Sequence, residues 1–183
     1  MKFVSSASAL LIDLRNNGGG SGEMVQLISS YFLQPSTHLN SIYSRETGTQ
    51  RDFYTFEVED GTSLLSMPVF ILVSGETFSA AEEFAYNFKH LNRAILIGEA
   101  TKGGANPWMY YPLDNGFRIG IPMAKAINPK TLSNWETVGV KPNVIAKHDS
   151  AFDVAYKLAL LKAKKVIKNK FLLEDVNFEL SKL

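Results

Sequence analysis

Two places in this chain of 183 residues combine residue types and spacing that could do chemistry. The first is Asn16-Asn17-Gly18-Gly19-Gly20, which follows an apolar run and precedes a helical pattern. Glycines in such a bend let the backbone turn sharply and leave N–H groups at a helix N-terminus, where an anion or oxyanion is stabilised. The stretch lacks the Lys-Ser/Thr ending of a phosphate loop and the spaced glycines of a dinucleotide loop. A tight turn without chemistry is its other reading. The second place is Ser74-Gly75-Glu76-Thr77-Phe78-Ser79-Ala80-Ala81-Glu82. A serine between a strand pattern and a helix pattern has the setting of a nucleophile elbow. Small residues after Ser79 leave room for an acyl group, and the N–H of Ala80 is placed to donate to an oxyanion. The same residues also read as a helix cap, with Ser79 or Thr77 capping and Glu82 closing a capping box three residues on.

The elements that must position these residues follow from hydrophobic patterning. Residues 9–14 form a short apolar run bounded by turn signals, the pattern of a strand buried on both faces. Ser21 caps a helix with Glu23 in its first turn and Met24, Leu27, Ile28 and Tyr31 at helical spacing, until Pro35 ends it. Residues 36–66 alternate weakly and predict a short β excursion on the surface. A second buried strand spans 69–73, and a helix follows over 79–91, apolar at Ala80, Phe84, Tyr86 and Phe88. Residues 94–97 make a third strand, ending at the loop Thr101-Lys102-Gly103-Gly104. Residues 109–113 and 117–122 flank Asp114-Asn115-Gly116, a hairpin signal. Residues 125–149 read as loop, and 150–165 as an amphipathic helix marked by Phe152, Ala155, Leu158, Ala159 and Lys162. The pattern assigns no packing to 166–183. Repeated strand–loop–helix units predict an α/β fold, as one domain over residues 1–183.

Composition excludes several classes. Apolar residues make up 45% and charged residues 20%, enough apolar content for a packed core. Nineteen basic against eighteen acidic residues leave a formal charge of +1, without the basic excess of a nucleic-acid binder. Without cysteine there is no disulfide framework and no thiolate site. No apolar run approaches the roughly 18 residues of a membrane span, and the first 14 residues lack the pattern of a secretory signal. The histidines are isolated and no Asp-rich loop appears, so neither a metal nor a cofactor is expected. The basic run Lys162-Ala163-Lys164-Lys165 reads as the solvated, dipole-favoured end of a helix.

Together the motifs resemble a known family. Leu11-Ile12-Asp13-Leu14-Arg15-Asn16-Asn17-Gly18-Gly19-Gly20 is similar to the Asp-Leu-Arg-x-Asn-x-Gly-Gly signature of the tail-specific (C-terminal processing) serine peptidases. Thr77-Phe78-Ser79-Ala80-Ala81-Glu82 resembles that superfamily's nucleophile segment, and Gly98-Glu99-Ala100-Thr101-Lys102-Gly103-Gly104-Ala105 its next loop. Trp135-Glu136-Thr137-Val138-Gly139-Val140-Lys141-Pro142-Asn143 resembles its closing Gly-Val-x-Pro-Asp element, with Asn143 in place of the Asp. The Gly-Gly-Ala form of the third motif is similar to the tricorn and interphotoreceptor retinoid-binding branch. The resemblance implies a crotonase-like (ClpP-type) fold and a serine endopeptidase acting on peptide or unfolded protein through an acyl-enzyme. It implies Ser79 as nucleophile, Gly19 and Ala80 as backbone donors to the oxyanion, and no cofactor. It suggests a periplasmic or extracytoplasmic setting, and it leaves self-association open. Glu136 matches the glutamate of the tricorn-type set of serine, histidine, second serine and glutamate.

The general base departs from the best-known branch. In the processing peptidases a lysine follows the glycine of the third motif; here Gly104 holds that position, and Lys102 lies two residues earlier, a displacement of about 6–7 Å along the chain. Lys102 is either the base of a Ser–Lys dyad or a solvated loop lysine. The tricorn-type histidine and partner serine precede the Asp-Leu-Arg signature, where residues 1–8 hold no histidine. His90 falls on the same predicted helix as Ser79, about 16 Å further along its axis. His38 sits in a polar loop and His148 after the last motif, and all three histidines read as exposed or capping. The expectation is a catalytic core from a longer protein whose N-terminal part carries the base. The alternative is a non-catalytic module that holds a retinoid-like apolar ligand against Phe78, Phe84, Phe88, Trp108, Met109, Tyr110 and Tyr111, a set that also reads as plain core.

Overall fold

Five consecutive apolar residues, Val69-Phe70-Ile71-Leu72-Val73, form the fourth strand in chain order, β4 (Val69–Val73), and all five are buried. Such a run fits the middle of a sheet covered on both faces. A computed structural model of the chain, which describes residues 1–59 and 62–183, has it there. Strands β1 (Leu10–Asp13) and β5 (Ile95–Gly98) pair parallel with β4 on either side, and the short β9 (Val144–Ile145) extends the sheet beyond β5. Alternate β4 residues serve opposite layers. Val69, Ile71 and Val73 join a cluster with Val25 of helix α1 (Gly22–Ser30) and with Ala81, Phe84, Ala85 and Phe88 of α2 (Ala80–His90). Phe70 and Leu72 meet Ala151, Ala155 and Ala159 of α3 (Ala151–Lys164).

A second sheet of order β3-β2-β8 joins β2 (His38–Ser44), β3 (Gln50–Tyr54) and β8 (Ala124–Ile127), all antiparallel. The hairpin expected around residues 114–116 forms as β6 (Trp108–Pro112) and β7 (Arg118–Pro122), with every strand residue exposed. Helix α4 (Lys170–Leu180) occupies the tail; Asn169 caps it by accepting from the N–H groups of Phe171 and Leu172. Among the described residues no helix is long and apolar enough to cross a membrane.

Several expectations need correction. β1 is an edge strand, only half-buried and with Asp13 exposed, because among the described residues β4 alone pairs with it. On α1 the face at Met24 and Leu27 points to solvent, while Val25, Ser29 and Ser30 are buried. Ser30 can sit inside because its hydroxyl donates to the Gln26 carbonyl and accepts from the Phe56 N–H. On α3 Phe152 is exposed; the buried stripe is Ala151, Ala155, Ala159 and Ala163, small side chains that let the helix ride close to the sheet. The excursion over 36–66 is β2 and β3, with Leu39, Asn40, Ser41 and Phe53 buried rather than on the surface; Asp60 and Gly61 of that range lie outside the described residues. Residues 125–149 contain β8 and β9 as well as loop. His38 belongs to β2, not to a loop.

The alanine stripe generates a test. Ala155→Leu should lower unfolding free energy by about 1–3 kcal/mol through overpacking, whereas Phe152→Ala, exposed on the same helix, should change it by no more than about 0.5 kcal/mol, both read from urea denaturation.

Candidate active site

The loops leaving the C-terminal ends of parallel strands are where α/β sheets place ligands. Here the loops after β1 and β4 are stitched together by short polar bonds. Thr77 Oγ1 donates to the Leu14 carbonyl (2.7 Å), Ser74 Oγ to the Arg15 carbonyl (2.6 Å), and the Phe78 N–H to the Asn17 carbonyl (3.0 Å). Arg15 is fixed in turn. Its guanidinium grips Asp13, whose carboxyl it holds below the usual carboxylate range, and donates to the His148 carbonyl at 2.7 Å. The glycine bend therefore lies against Ser79. Gly19 has φ +111°, and a Cβ there would stand 2.8 Å from the Ser79 Cβ, 3.1 Å from the Phe78 carbonyl oxygen and 3.3 Å from the Ala80 nitrogen. Glycine alone fits that approach. Ser79 itself has φ 54° and ψ −122°, a conformation that costs a non-glycine residue about 1–3 kcal/mol and persists where the surroundings enforce it. The Ala80 N–H has no acceptor among the described residues, while the Gly19 N–H donates to Asn17 Oδ1 at 2.9 Å.

Glu82 is the enforcing group. Its side chain is fully buried, yet its carboxylate collects four donors. Oε2 accepts from the N–H groups of Ser79 and Gly104 (both 2.9 Å), and Oε1 from Thr101 Oγ1 (2.5 Å) and the Gly103 N–H (2.7 Å). The capping role legible in the sequence is thus one bond of four. Gly104 lies flat against Phe78: a Cβ there would come 2.1 Å from the ring, so any other residue displaces it.

The closing motif docks on the same loop. Trp135 Nε1 donates to the Gly104 carbonyl, and the Thr137 N–H to the Gly103 carbonyl. Glu136 Oε2 accepts from the N–H groups of Ala105 (2.7 Å) and Asn106 (2.9 Å), while its Oε1 takes no hydrogen bond from a described residue. A cavity of about 650 Å³ brings Ser79, Ala80 and Glu136 together, with Phe53, Phe78, Trp108 and Trp135 in its walls.

Not every candidate converges. Lys102 is solvent-exposed, its Nζ 3.9 Å from Glu76 Oε2 and 5.7 Å from the centre of the Phe78 ring, and it does not line the cavity. His90 packs at a tilt against Tyr86, its pKa pushed down by burial; His38 stacks on Tyr54 and bonds Ser41; His148 faces Asp149. None of the three lines the cavity. The aromatic set of the ligand-holding alternative is dispersed. Phe84 and Phe88 are core, Met109, Tyr110 and Tyr111 sit on the exposed hairpin, and only Phe78 and Trp108 reach the cavity. That alternative is not favoured. Among the described residues no group of three or more His, Asp or Glu could hold a metal ion. The sequence reading missed Glu83, which lines the cavity one helical turn beyond Ser79 and is only 9% exposed. Burial pushes its carboxyl up to about 7, with the charge of Glu23 adding to the rise and Asn40 opposing it. The spacing of four from Ser79 was the one signal that could have found it.

The fold and loops define a mixed α/β protein with a parallel sheet, of the kind that gathers polar loops at its strand ends. The chain belongs to peptidase family S41, whose pattern matches residues 2–146. It is 29% identical over 162 residues to a carboxyl-terminal-processing protease of Synechocystis sp., covering 84% of this chain and 36% of that protein. Among solved structures it is similar to the photosystem II D1 C-terminal processing protease (TM-score 0.61, 26% identity, 76% of this chain and 35% of that one). It shares its fold with the tricorn protease (TM-score 0.53, 19% identity, 85% of this chain and 15% of that one). The chain thus spans about a third of the length of the processing proteases it matches.

Two predictions follow from the carboxylates. Glu82→Ala should destabilise the protein by about 3–5 kcal/mol by stranding buried donors, and Glu82→Gln, which keeps one acceptor oxygen, by less; both are measurable by urea denaturation. For Glu83 the effect is pH-dependent. Below the ordinary carboxyl value of 4.5 it is protonated folded and unfolded, and burial costs nothing extra. Between 4.5 and about 7 the unfolded chain loses a proton that the folded chain keeps, so stability falls as pH rises. Glu83→Gln should therefore be more stable than the parent at pH 8, by about 3 kcal/mol on the 1.36 kcal/mol per pH unit conversion, with the gain vanishing toward pH 4.5.

Proposed function

We propose that residues 1–183 are the catalytic-core domain of a crotonase-like (ClpP-type) serine endopeptidase. Ser79 Oγ attacks the carbonyl carbon of a peptide bond in a peptide or unfolded protein substrate. A general base takes the hydroxyl proton and returns it to the leaving amine, and water then hydrolyses the acyl-enzyme. The N–H groups of Ala80 and Gly19 bind the oxyanion, Gly19 exchanging its bond to Asn17 Oδ1 for one to the substrate oxygen. Each such donor is typically worth about 2.7–4 kcal/mol in the transition state. The base comes from outside these 183 residues, and Glu136 orients it through its uncommitted Oε1. The outward position of Lys102 and the absence of all three histidines from the cavity lining support that assignment. The observation that carries the proposal is the closeness of the glycine bend to Ser79, 2.8 Å from a Cβ built on Gly19.

In the full-length protein a fluorophosphonate should label Ser79, and Ser79→Ala should abolish both labelling and peptide cleavage. Glu136→Gln should lower kcat by at least about tenfold while leaving the melting temperature near that of the parent. The 183-residue chain alone should turn over peptide slowly or not at all. Cleavage by Ser79→Ala equal to that of the parent would refute the proposal.

A further inference from the structure

The cavity beside Ser79 is electrostatically one-sided. Glu23, Glu83 and Glu136 line it, and no Lys, Arg or His does. Two of these carboxylates are answered within the chain. Glu23 pairs with Arg51 at 3.1 Å, and Glu136 is held by two backbone N–H groups. Glu83 is enclosed to within 9% exposure and makes no ion pair among the described residues.

No group of opposite charge among the described residues is free to answer Glu83 from the packed elements. Glu23 of α1 adds like charge, and the neutral Asn40 of β2 offers the carboxylate a hydrogen bond but no charge. Arg51 of β3 is committed to Glu23 and to the face of Phe53, 4.5 Å away. Gly22 lies beside the carboxyl without closing on it: a Cβ there would stand 3.9 Å from Glu83 Oε2 and 3.7 Å from the Phe53 ring. Phe53, Trp108 and Trp135 line the same cavity and offer apolar surface to the methylene chain of a cationic side chain. A buried carboxylate in such surroundings is stable when a cation arrives with the ligand.

We infer that Glu83 is a specificity-determining residue: the cavity takes the cationic side chain, lysine or arginine, of a peptide substrate, and that cation becomes the counter-ion of the Glu83 carboxylate. This rests on the peptidase reading and adds the substrate class to it. Because burial raises the Glu83 carboxyl to about 7, binding of the cation releases a proton, and affinity falls as pH drops below neutrality.

The two tryptophans of the chain, Trp108 and Trp135, both stand in the cavity wall and report occupancy by fluorescence without any turnover. The 183-residue chain is titrated with pentylguanidinium and with pentylurea, a neutral probe of the same shape. At pH 8 the guanidinium should bind at least about tenfold tighter, and at pH 5.5 the preference should shrink to about twofold or less. Glu83→Gln, checked for folding by its melting curve, should bind both probes equally at pH 8, and Ser79→Ala should keep the parent's preference. In the full-length protein, kcat/KM for a peptide with lysine at the scissile residue should exceed that for its norleucine counterpart by the same factor, and Glu83→Gln should erase the difference. Equal binding of the two probes, a preference that survives in Glu83→Gln, or no fluorescence change with either probe at tens of millimolar overturns the inference. Failure of Ser79 to label, with the probe preference intact, would instead count against the peptidase reading alone.

Discussion

Everything at the site hangs on a carboxylate that water never reaches. Glu82 holds the Ser79 N–H with one oxygen and, with both, the N–H groups of Gly103 and Gly104 and the hydroxyl of Thr101. A buried carboxylate has to be met by donors from every side or its desolvation is ruinous, so the two segments that supply them, the Ser79 turn and the loop 101–104, are locked in one arrangement. Thr101 passes the constraint on, because its hydroxyl also accepts from the Val140 N–H and so joins the closing motif to the network. The glycines are consequences. Gly103, at φ +92° and hard against the backbone of Thr137 and Gly139, and Gly104, pressed on the Phe78 ring, let the loop bring its N–H groups onto the carboxylate. The Ser79 backbone strain persists for the same reason, since the Glu82 bond holds its N–H while Thr77 and Phe78 anchor the turn to the β1 loop.

The cavity contrasts with this closed network. Its carboxylates differ in how completely the chain satisfies them, from Glu136 on two backbone donors to Glu83 with none of opposite charge among the described residues. Its glycine bend holds an internal acceptor, Asn17 Oδ1, on the N–H that the proposed oxyanion would use. A site whose frame is rigid and whose inner polar groups are incompletely paired is suited to a ligand that completes the pairing.

Much of this was legible in the chain, for identifiable reasons. β4 announced itself because a strand covered on both faces has to be apolar throughout. β1 carries a similar composition yet lies at the edge, since composition does not say how many neighbours a strand has. The buried side of α1 escaped because Ser29 and Ser30 lie inside, Ser30 paired with the backbone of Gln26 and of the distant Phe56. β9 is two residues long, too short to carry a period; its register is aided by Asn143, which bonds both the N–H and the carbonyl of Leu96. That bonding gives the Asn of the closing motif a structural part. At the site, the glycine bend and the Ser79-Ala80 turn stood out because tight loops restrict residue types, whereas Glu136 was singled out only through the family resemblance. Glu82 was legible only as a cap, since its other donors lie about twenty residues on, and Glu83 only by its spacing of four from Ser79, a faint signal because acidic residues in a first helical turn are usually there for the dipole.

The central claim is that Ser79 Oγ and the backbone donors of Gly19 and Ala80 address one substrate carbonyl, the hydroxyl its carbon and the two N–H groups its oxygen. A crystal structure of the full-length protein phosphonylated by a peptidyl phosphonate tests it directly. The phosphonyl oxygen should sit about 2.7–3.1 Å from both the Gly19 and Ala80 nitrogens, with the Gly19–Asn17 bond broken. An adduct on Ser79 whose oxygen faces solvent while that bond stays intact, or an adduct on another residue, would contradict it.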